Sequence, residues 1–279
     1  MSNYDFNVIG KVYESTYEYT WKDVILYNLG IGAQAEDLPF VYERNPGGLK
    51  VIPSFALIAS KGGANLGKVG KNIEYTKIVH GEQLIRIVKP LPANGKITRK
   101  GKLSHIYDKG SGAVFISEIK GYSESGEHLF DMEMTHFYIG GGRFGGDRGP
   151  KSEILNPPEG RIPDFSISYK TTMNQAVLYR LNGDFNPLHI DPKFAQRGGY
   201  KKPILHGLCT FGFATRAILS NLCEGDVTRF KEFKARFANV VYPGETLTTE
   251  GWKVNGKYII QTKTENEIVV INNAYATVE

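Results

Sequence analysis

Cysteine is nearly absent: the 279 residues hold two, Cys209 and Cys223. Both fall in or at the end of one apolar segment that reads as a helix. Fourteen residues separate them, which is roughly 21 Å of helix rise and far beyond disulfide reach. Two reduced, buried thiols are therefore expected. Long apolar runs are missing too. The best stretch, PILHGLCTFGFATRAILSNL, is broken by His206 and Arg216, whereas a membrane span needs ~20 apolar residues in succession. It reads as a buried helix. The opening MSNYDFNVIGKVYES lacks an apolar h-region, so no signal peptide is expected. Basic residues do not cluster: 34 Lys and Arg lie scattered among 29 Asp and Glu, leaving a net charge of +5. That balance suits a small anionic ligand better than a nucleic acid. The six histidines share no ligand spacing with one another or with the cysteines, so no metal is implied.

What is present is a core. Hydrophobic residues make up 41% and charged ones 23%, the balance of a globular chain. The 16 Tyr and 15 Phe bring aromatic surface that must be buried. The length leaves room for one large domain or two of ordinary size. One stretch stands apart, YIGGGRFGGDRGPKSEILNPPEGRIPD from Tyr138 to Asp164. Rich in Gly and Pro and without period, it reads as a linker or surface crossing. The expected division is 1–140, a linker over 141–163, and 164–279.

The two halves echo each other. At an offset of about 152, Thr20 falls on Thr172, Leu26 on Leu178, Tyr27 on Tyr179, Leu29 on Leu181, Gly47 on Gly199, Lys50 on Lys202 and Ile52 on Ile204. Each half then continues into strand-like segments. In the first these are EQLIRIVKPL, GKITRKGKLSHIYDKG, GAVFISEIKGY and HLFDMEMTHFYIG; in the second RFKEFKARFANVVY, ETLTTEGWKV, KYIIQTKTE and IVVINNAYATV. All are β-branched and aromatic, with turns such as DKGSG and VNGKY between them. Each half reads as a strand, a helix (TWKDVILYNLGIGA, TTMNQAVLYRLNG), an irregular stretch, a second apolar helix and four strands. Thr20 and Thr171 or Thr172 are the expected N-caps. The later helix, Ile204 to Leu222, has too little polar surface to lie outside and must be wrapped by the sheet that follows. The predicted class is α+β, a double hot-dog fold: two repeats, each a central helix wrapped by a curved antiparallel sheet. In the first repeat the matching segment, VIPSFALIASKGGANLG, is broken early by Gly62 and Gly63, so a space is expected there.

Between Arg180 and Gln196 lies RLNGDFNPLHIDPKFAQ. Gly183, Asp184, Asn186 and Pro187 are all favoured turn residues, so a turn alone would account for them. Two features argue for more. In the gapless overlay Asp184 lies over Gly32, Asn186 over Gln34 and His189 over Asp37; the scaffold repeats, but the acid–amide–imidazole set does not. PILHGL also puts Gly207 at the mouth of the buried helix, where backbone N–H groups are unpaired and an anionic oxygen can approach.

YRLNGDFNPLHIDPKFA resembles the motif of the R-specific 2-enoyl-CoA hydratases, the MaoC-like dehydratases. HGEQ (His80–Gln83), KPLP (Lys89–Pro92) and DKGSG (Asp108–Gly112) resemble the first half of eukaryotic 2-enoyl-CoA hydratase 2, so the likeness spans the chain; a fungal source is expected. The resemblance implies reversible hydration of a trans-2-enoyl-CoA to (3R)-3-hydroxyacyl-CoA in fatty-acid β-oxidation. By motif position, Asp184 and His189 would hold the catalytic water, Asn186 orient it, and Gly207 N–H bind the thioester oxygen. His80, Gly81, Lys109, Phe185, Pro187, Leu188 and Phe237 would contact the acyl-CoA. Lys109 also reads as a solvated hairpin charge and Phe237 as a core aromatic. The chemistry needs such a set. Water loses a proton as it attacks C3, C2 gains one, and an imidazole titrates near neutral pH.

No cofactor is expected, coenzyme A being part of the substrate. The family further implies a homodimer, dehydrogenase domains fused in the full-length chain, and a peroxisomal location, although NNAYATVE carries no Ser-Lys-Leu-like tripeptide. A hot-dog thioesterase is the nearest rival. Such enzymes commonly carry their carboxylate on the central helix, and nothing acidic lies between Ile204 and Leu222. A non-catalytic acyl-CoA-binding module is the third reading.

Overall fold

The computed structural model describes residues 4–62, 69–71, 73–151 and 153–279. The first half runs β1 (Tyr13–Tyr19), α1 (Trp21–Gly30), α2 (Leu38–Val41), α3 (Ala56–Ala59), β2 (Ile78–Ile87), β3 (Gly95–Asp108), β4 (Gly112–Tyr122) and β5 (His128–Ile139). The second runs β6 (Phe165–Lys170), α4 (Gln175–Tyr179), α5 (Pro192–Arg197), α6 (Gly207–Leu222), β7 (Phe230–Phe237), β8 (Thr246–Val254), β9 (Lys257–Thr264) and β10 (Val269–Val278).

All ten strands join one sheet in the order β1-β3-β4-β5-β2-β7-β10-β9-β8-β6. Counted from the start of its own half, the order is the same from either edge inward. That mirror is the double hot dog. The halves meet where β2 pairs antiparallel with β7, Glu82 opposite Arg236 and Arg86 opposite Glu232. Charges alternate across this seam: Arg86 Nε donates to Glu232 at 2.8 Å, and Lys234 lies 3.1 Å from the second oxygen of Glu82. The β8–β9 turn is Asn255–Gly256, both at positive φ, the backbone a two-residue hairpin requires. Gly47 and Gly199, matched by the overlay, sit at φ +90° and +85°.

α6 has no solvent face for most of its length; every residue from Cys209 to Leu219 is buried. It begins at Gly207, later than the expected Ile204. Residues 203–206 are held extended, with Leu205 N–H donating to the Val241 carbonyl at 2.7 Å. Tyr27, Phe55 and Ile85 of the first half share one apolar cluster with Phe211, Phe233 and Ile271 of the second. Aromatic residues of both halves thus meet in one core, and a second, smaller cluster gathers Tyr4, Leu103, Ile106 and Phe115 within the first half. Cys209 and Cys223 are both free and buried.

The first helices differ from expectation in one half. Thr20 caps α1, its N–H donating to Asp23 Oδ2 at 2.8 Å. In the second half Asn174, not Thr171 or Thr172, holds the cap position. α4 is five residues long and tightens into a 3-10 turn, Arg180–Asn182. Gly183, at φ +96°, stops it. The central segment of the first half is the 3-10 turn Pro53–Phe55 followed by the four residues of α3, with Gly62 at φ +79° after it. Gly63 and the residues that would carry the helix onward lie outside the described ones. No helix among the described residues is long and apolar enough to cross a membrane.

Candidate active site

The loop between α4 and α5 is built by its own turn chemistry. Asp184 Oδ1 accepts from Asn186 N–H at 3.3 Å, and Asn186 Oδ1 accepts from Leu188 N–H at 3.1 Å. The second bond caps the 3-10 turn Pro187–His189, and Pro187 suits that first turn because its missing N–H would have no partner there. Asp191 then caps α5 by accepting from Lys193 N–H at 2.8 Å. The turn residues therefore make a turn, and the turn aims two side chains.

Helix landmarks revise the overlay here. Gly32 (φ +87°) and Gly183 (φ +96°) each close the first helix of their half, and Asp37 and Asp191 each stand at the N-cap of the next. From Gly183 to Asp191 the chain is three residues longer than from Gly32 to Asp37. Asp184 does not replace Gly32, and His189 does not replace Asp37. The second loop carries an insertion, and a gapless overlay hides it.

His189 Nδ1 lies 2.9 Å from the Ile204 carbonyl. A carbonyl only accepts, so Nδ1 carries the hydrogen and Nε2 keeps its lone pair. Burial pushes the His189 pKa below its usual range, while the Ile204 bond and Asp184 act in the opposite direction. The imidazole is thus neutral at pH 7, the form that can take a proton. Against it stacks His206, ring centroids 3.6 Å apart and planes at 27°. His206 Nε2 lies 3.3 Å from the Asp184 carbonyl and donates to it, and burial drives its pKa down. On the far side the Tyr179 ring is 4.9 Å away. His206 Nδ1 is buried without a hydrogen-bond partner among the described residues.

Asp184, His189 and His206 offer atoms within 4.8 Å of one another. The set suits a water better than a metal. Two stacked imidazoles aim their lone pairs along nearly parallel planes, whereas a tetrahedral ion needs them to converge on a point about 2 Å from each nitrogen.

These groups open on a cavity of about 500 Å³. Asp184, Asn186, Leu188, His189, Gly207, His80 and Phe237 all line it, together with His136 and His206. Gly207 is the first residue of α6, so its N–H belongs to the unpaired set at a helix start. His80 sits opposite His136 in the β2–β5 ladder, rings 4.8 Å apart, and meets the Phe237 ring edge-on at 5.2 Å. Burial lowers the pKa of His80 to about 3 and of His136 to about 4.

Gly81 and Lys109 line a second cavity, of about 430 Å³, on the other side of Phe237. Pro150, Lys151, Glu153 and Leu155 of the Gly/Pro-rich segment close over it. Lys109 Nζ donates to the Pro150 carbonyl at 3.2 Å, which ties the hairpin to that strap. Phe185 and Pro187 line neither cavity. Phe185 is 60% exposed, its ring beneath the Arg180 guanidinium at 5.2 Å. Sequence spacing singles out neither His206 nor His136. PILHGL contains the first, but nothing in its spacing reveals a stacking partner seventeen residues away.

Two family signatures cover the chain: an MFE-2 hydratase 2 N-terminal domain over residues 17–140 and a MaoC like domain over residues 155–274. A Dictyostelium discoideum protein named "Probable enoyl-CoA hydratase 2" is 38% identical, covering 96% of this chain and 94% of that one. Mouse peroxisomal multifunctional enzyme type 2 is 44% identical over 92% of this chain. The chain spans only 36% of that enzyme's length. A crystal structure of a MaoC-like dehydratase from Phytophthora capsici superposes with a TM-score of 0.88 at 31% identity, covering 99% and 98% of the two chains.

Proposed function

Since the chain belongs to the enoyl-CoA hydratase 2 family of MaoC-like proteins, we propose that it adds water reversibly to a trans-2-enoyl-CoA. The product is a (3R)-3-hydroxyacyl-CoA, an intermediate of fatty-acid β-oxidation. One observation carries the reading: the Asp184 carboxylate and the unprotonated face of His189 converge on a cavity that also receives the N-terminus of α6. In the hydration direction, His189 Nε2 and Asp184 hold the water. The water oxygen bonds to C3 as its proton leaves, the C2–C3 double bond opens, and C2 takes up a proton. The hydroxyl at C3 and the hydrogen at C2 together make up one water, so no cofactor is needed. Between these events charge gathers on the thioester oxygen. Gly207 N–H, unpaired at the start of α6 and on the cavity wall, is the donor we assign to that charge.

The acyl tail needs a dry place, each buried CH₂ being worth about 0.8 kcal/mol. Ile78 and Val79 of the first repeat line the cavity beside the reacting groups. We read the first repeat as the acyl-binding half and the second as the catalytic half. Larger side chains at Ile78 should slow long-chain substrates more than short ones; equal slowing of both would refute the division. The coenzyme A moiety is assigned toward Gly81 and Lys109 in the neighbouring cavity. A homodimer, a peroxisomal location and fused dehydrogenase domains belong to the same proposal. The mouse relative's name supports the location and its greater length the further domains, while the homodimer rests on the family resemblance alone.

Absorbance of the enoyl thioester, followed together with free thiol, tests the activity. Loss of absorbance without thiol means hydration, thiol release means a thioesterase, and neither means a binding module. Asp184→Asn and His189→Ala should each lose nearly all hydration while remaining folded. Retention of wild-type rate in either would sink the assignment.

A further inference from the structure

Gly32 and Gly183 end the first helices of their repeats, and each meets the other repeat's central segment: Gly32 meets α6, and Gly183 meets Lys61 just after α3. A Cβ on Gly32 would lie 2.5 Å from the Phe213 ring and 3.0 Å from Arg216 Nη1. A Cβ on Gly183 would lie 3.5 Å from Lys61 Nζ. Both repeats thus hold a cation at this point. In the first loop Arg216 is consumed, donating to Asp37 at 3.0 Å and to the Gly32 carbonyl at 2.6 Å. In the second loop the cation stands one residue from Asp184.

Lys61 is held from behind. Its N–H donates to Ile58 at the end of α3, and its carbonyl accepts from Arg99, a buried guanidinium that also donates to the Thr16 carbonyl at 2.8 Å. The backbone of this lysine is therefore fixed to the first repeat, while its ammonium reaches the loop of the second. Burial lowers the Lys61 pKa and Asp184 opposes that fall, while the His206 pKa is lowered by burial first, with Lys61 adding in the same direction.

We propose that Lys61 is a positioning residue of the active site, its ammonium supplying a field that disfavours a proton on the stacked His189–His206 pair. The idea rests on the hydratase reading and deepens it: the first repeat contributes to catalysis as well as binding. The groups facing Asp184 are His189 on its own loop, His206 ahead of α6, Tyr179 at the end of α4, and Lys61 after α3. Among the described residues the other nearby cation is Arg180, whose guanidinium lies over the Phe185 ring at 5.2 Å, whereas the Lys61 ammonium stands against Gly183. A cation near such a cluster favours its deprotonated form, and solvent access at Lys61 weakens the effect without removing it.

The test compares Lys61→Met with Lys61→Arg. In Lys61→Met the acid limb of the kcat/KM profile should rise by about half a pH unit, so that rate is lost most at low pH. Lys61→Arg, which keeps the charge, should restore the limb. High salt should move the wild-type limb in the Met direction and leave the Met variant unchanged. NMR titration of the His189 and His206 imidazoles should report the same shift without any turnover. A limb unmoved in Lys61→Met, or moved equally in Lys61→Arg, overturns the proposal. A rate loss uniform across pH would make Lys61 structural, and that too overturns it. Absence of hydration by the wild-type chain would instead remove the hydratase reading, while the imidazole titration would still judge the field of Lys61.

Discussion

Arg216 of the second repeat and Asp37 of the first form an ion pair across the molecule, Nη2 to Oδ2 at 3.0 Å. The same guanidinium donates to the Ile31 and Gly32 carbonyls and lies 4.5 Å from the Tyr169 ring centroid. Those carbonyls follow the C-terminus of α1, where helix acceptors have no partners of their own. Gln175 Nε2 serves the Gly30 carbonyl at 2.7 Å, and Cys209 Sγ approaches it at 3.3 Å. The second repeat thus caps the first helix of the first repeat.

Arg216→Met should therefore destabilise the whole chain, by about 3 kcal/mol, because it strands buried carbonyls as well as Asp37. Asp37→Asn should cost less, about 1 kcal/mol, since Asp37 is partly open to water and the carbonyl bonds survive. Urea unfolding of the two variants measures the difference. Equal losses would mean that the ion pair, not the capping, carries the effect.

Gly32 and Gly183 share a left-handed backbone but not their surroundings. Alanine at Gly183 meets only the flexible tip of Lys61, so the strain of its φ dominates, at about 1 kcal/mol. Alanine at Gly32 adds a collision with the buried Phe213 ring at 2.5 Å, and overpacking of that kind costs about 1–3 kcal/mol more. Gly32→Ala should melt well below Gly183→Ala. Reversed melting temperatures would contradict the packing.

Four imidazoles, His80, His136, His189 and His206, have pKa values depressed by burial. The fold keeps them neutral, whereas the unfolded chain protonates them near 6.5. Below that pH the unfolded state binds more protons, so stability falls as pH drops from 6.5 toward 4 and is level above it. Asp108, held down to about 2 by the Gly110, Arg143 and Gly145 N–H groups, acts only below the ordinary carboxylate range. Glu133, raised by burial, has the opposite sign and offsets part of the fall near its own range. Thermal melting between pH 7 and 4.5 should show the decline, and His136→Gln should flatten it. A melting temperature unchanged over that interval would refute the buried-neutral assignment.

Much of this was legible in the sequence because it is local. The strands after each central helix announce themselves by β-branched and aromatic runs, and Asn255–Gly256 specifies its hairpin by conformation. α6 could be placed because a helix without polar surface has only one place to go. Three features were not legible. The cap at Asn174 competes with two better-looking threonines, and Gln175, which would continue their helix, is turned inward to serve Gly30. The extra residues of the second loop vanish in a gapless overlay that regains register at Gly47 and Gly199. His206 owes its place to a stack on His189 and a bond to the Asp184 carbonyl, both long-range.

Gly207 separates backbone from side-chain effects at the site. It begins α6 behind His206 at the N-cap, and a Cβ there would come within 3.4 Å of the Phe237 ring. Its φ is not left-handed, so no backbone strain attends a substitution. Gly207→Ala should keep the fold and the N–H yet set a methyl where the thioester oxygen is to approach. Loss of one such donor costs about 10²–10³ in kcat, and a donor that remains but is pushed out of reach should cost at least tenfold. Gly207→Val should cost more, with melting temperature close to wild type in both. Steady-state kinetics on a short and a long enoyl-CoA measure it. Because the obstruction lies at the thioester, which every substrate shares, both chain lengths should suffer alike. A loss confined to long chains would place the acyl tail, rather than the thioester, beside the start of α6.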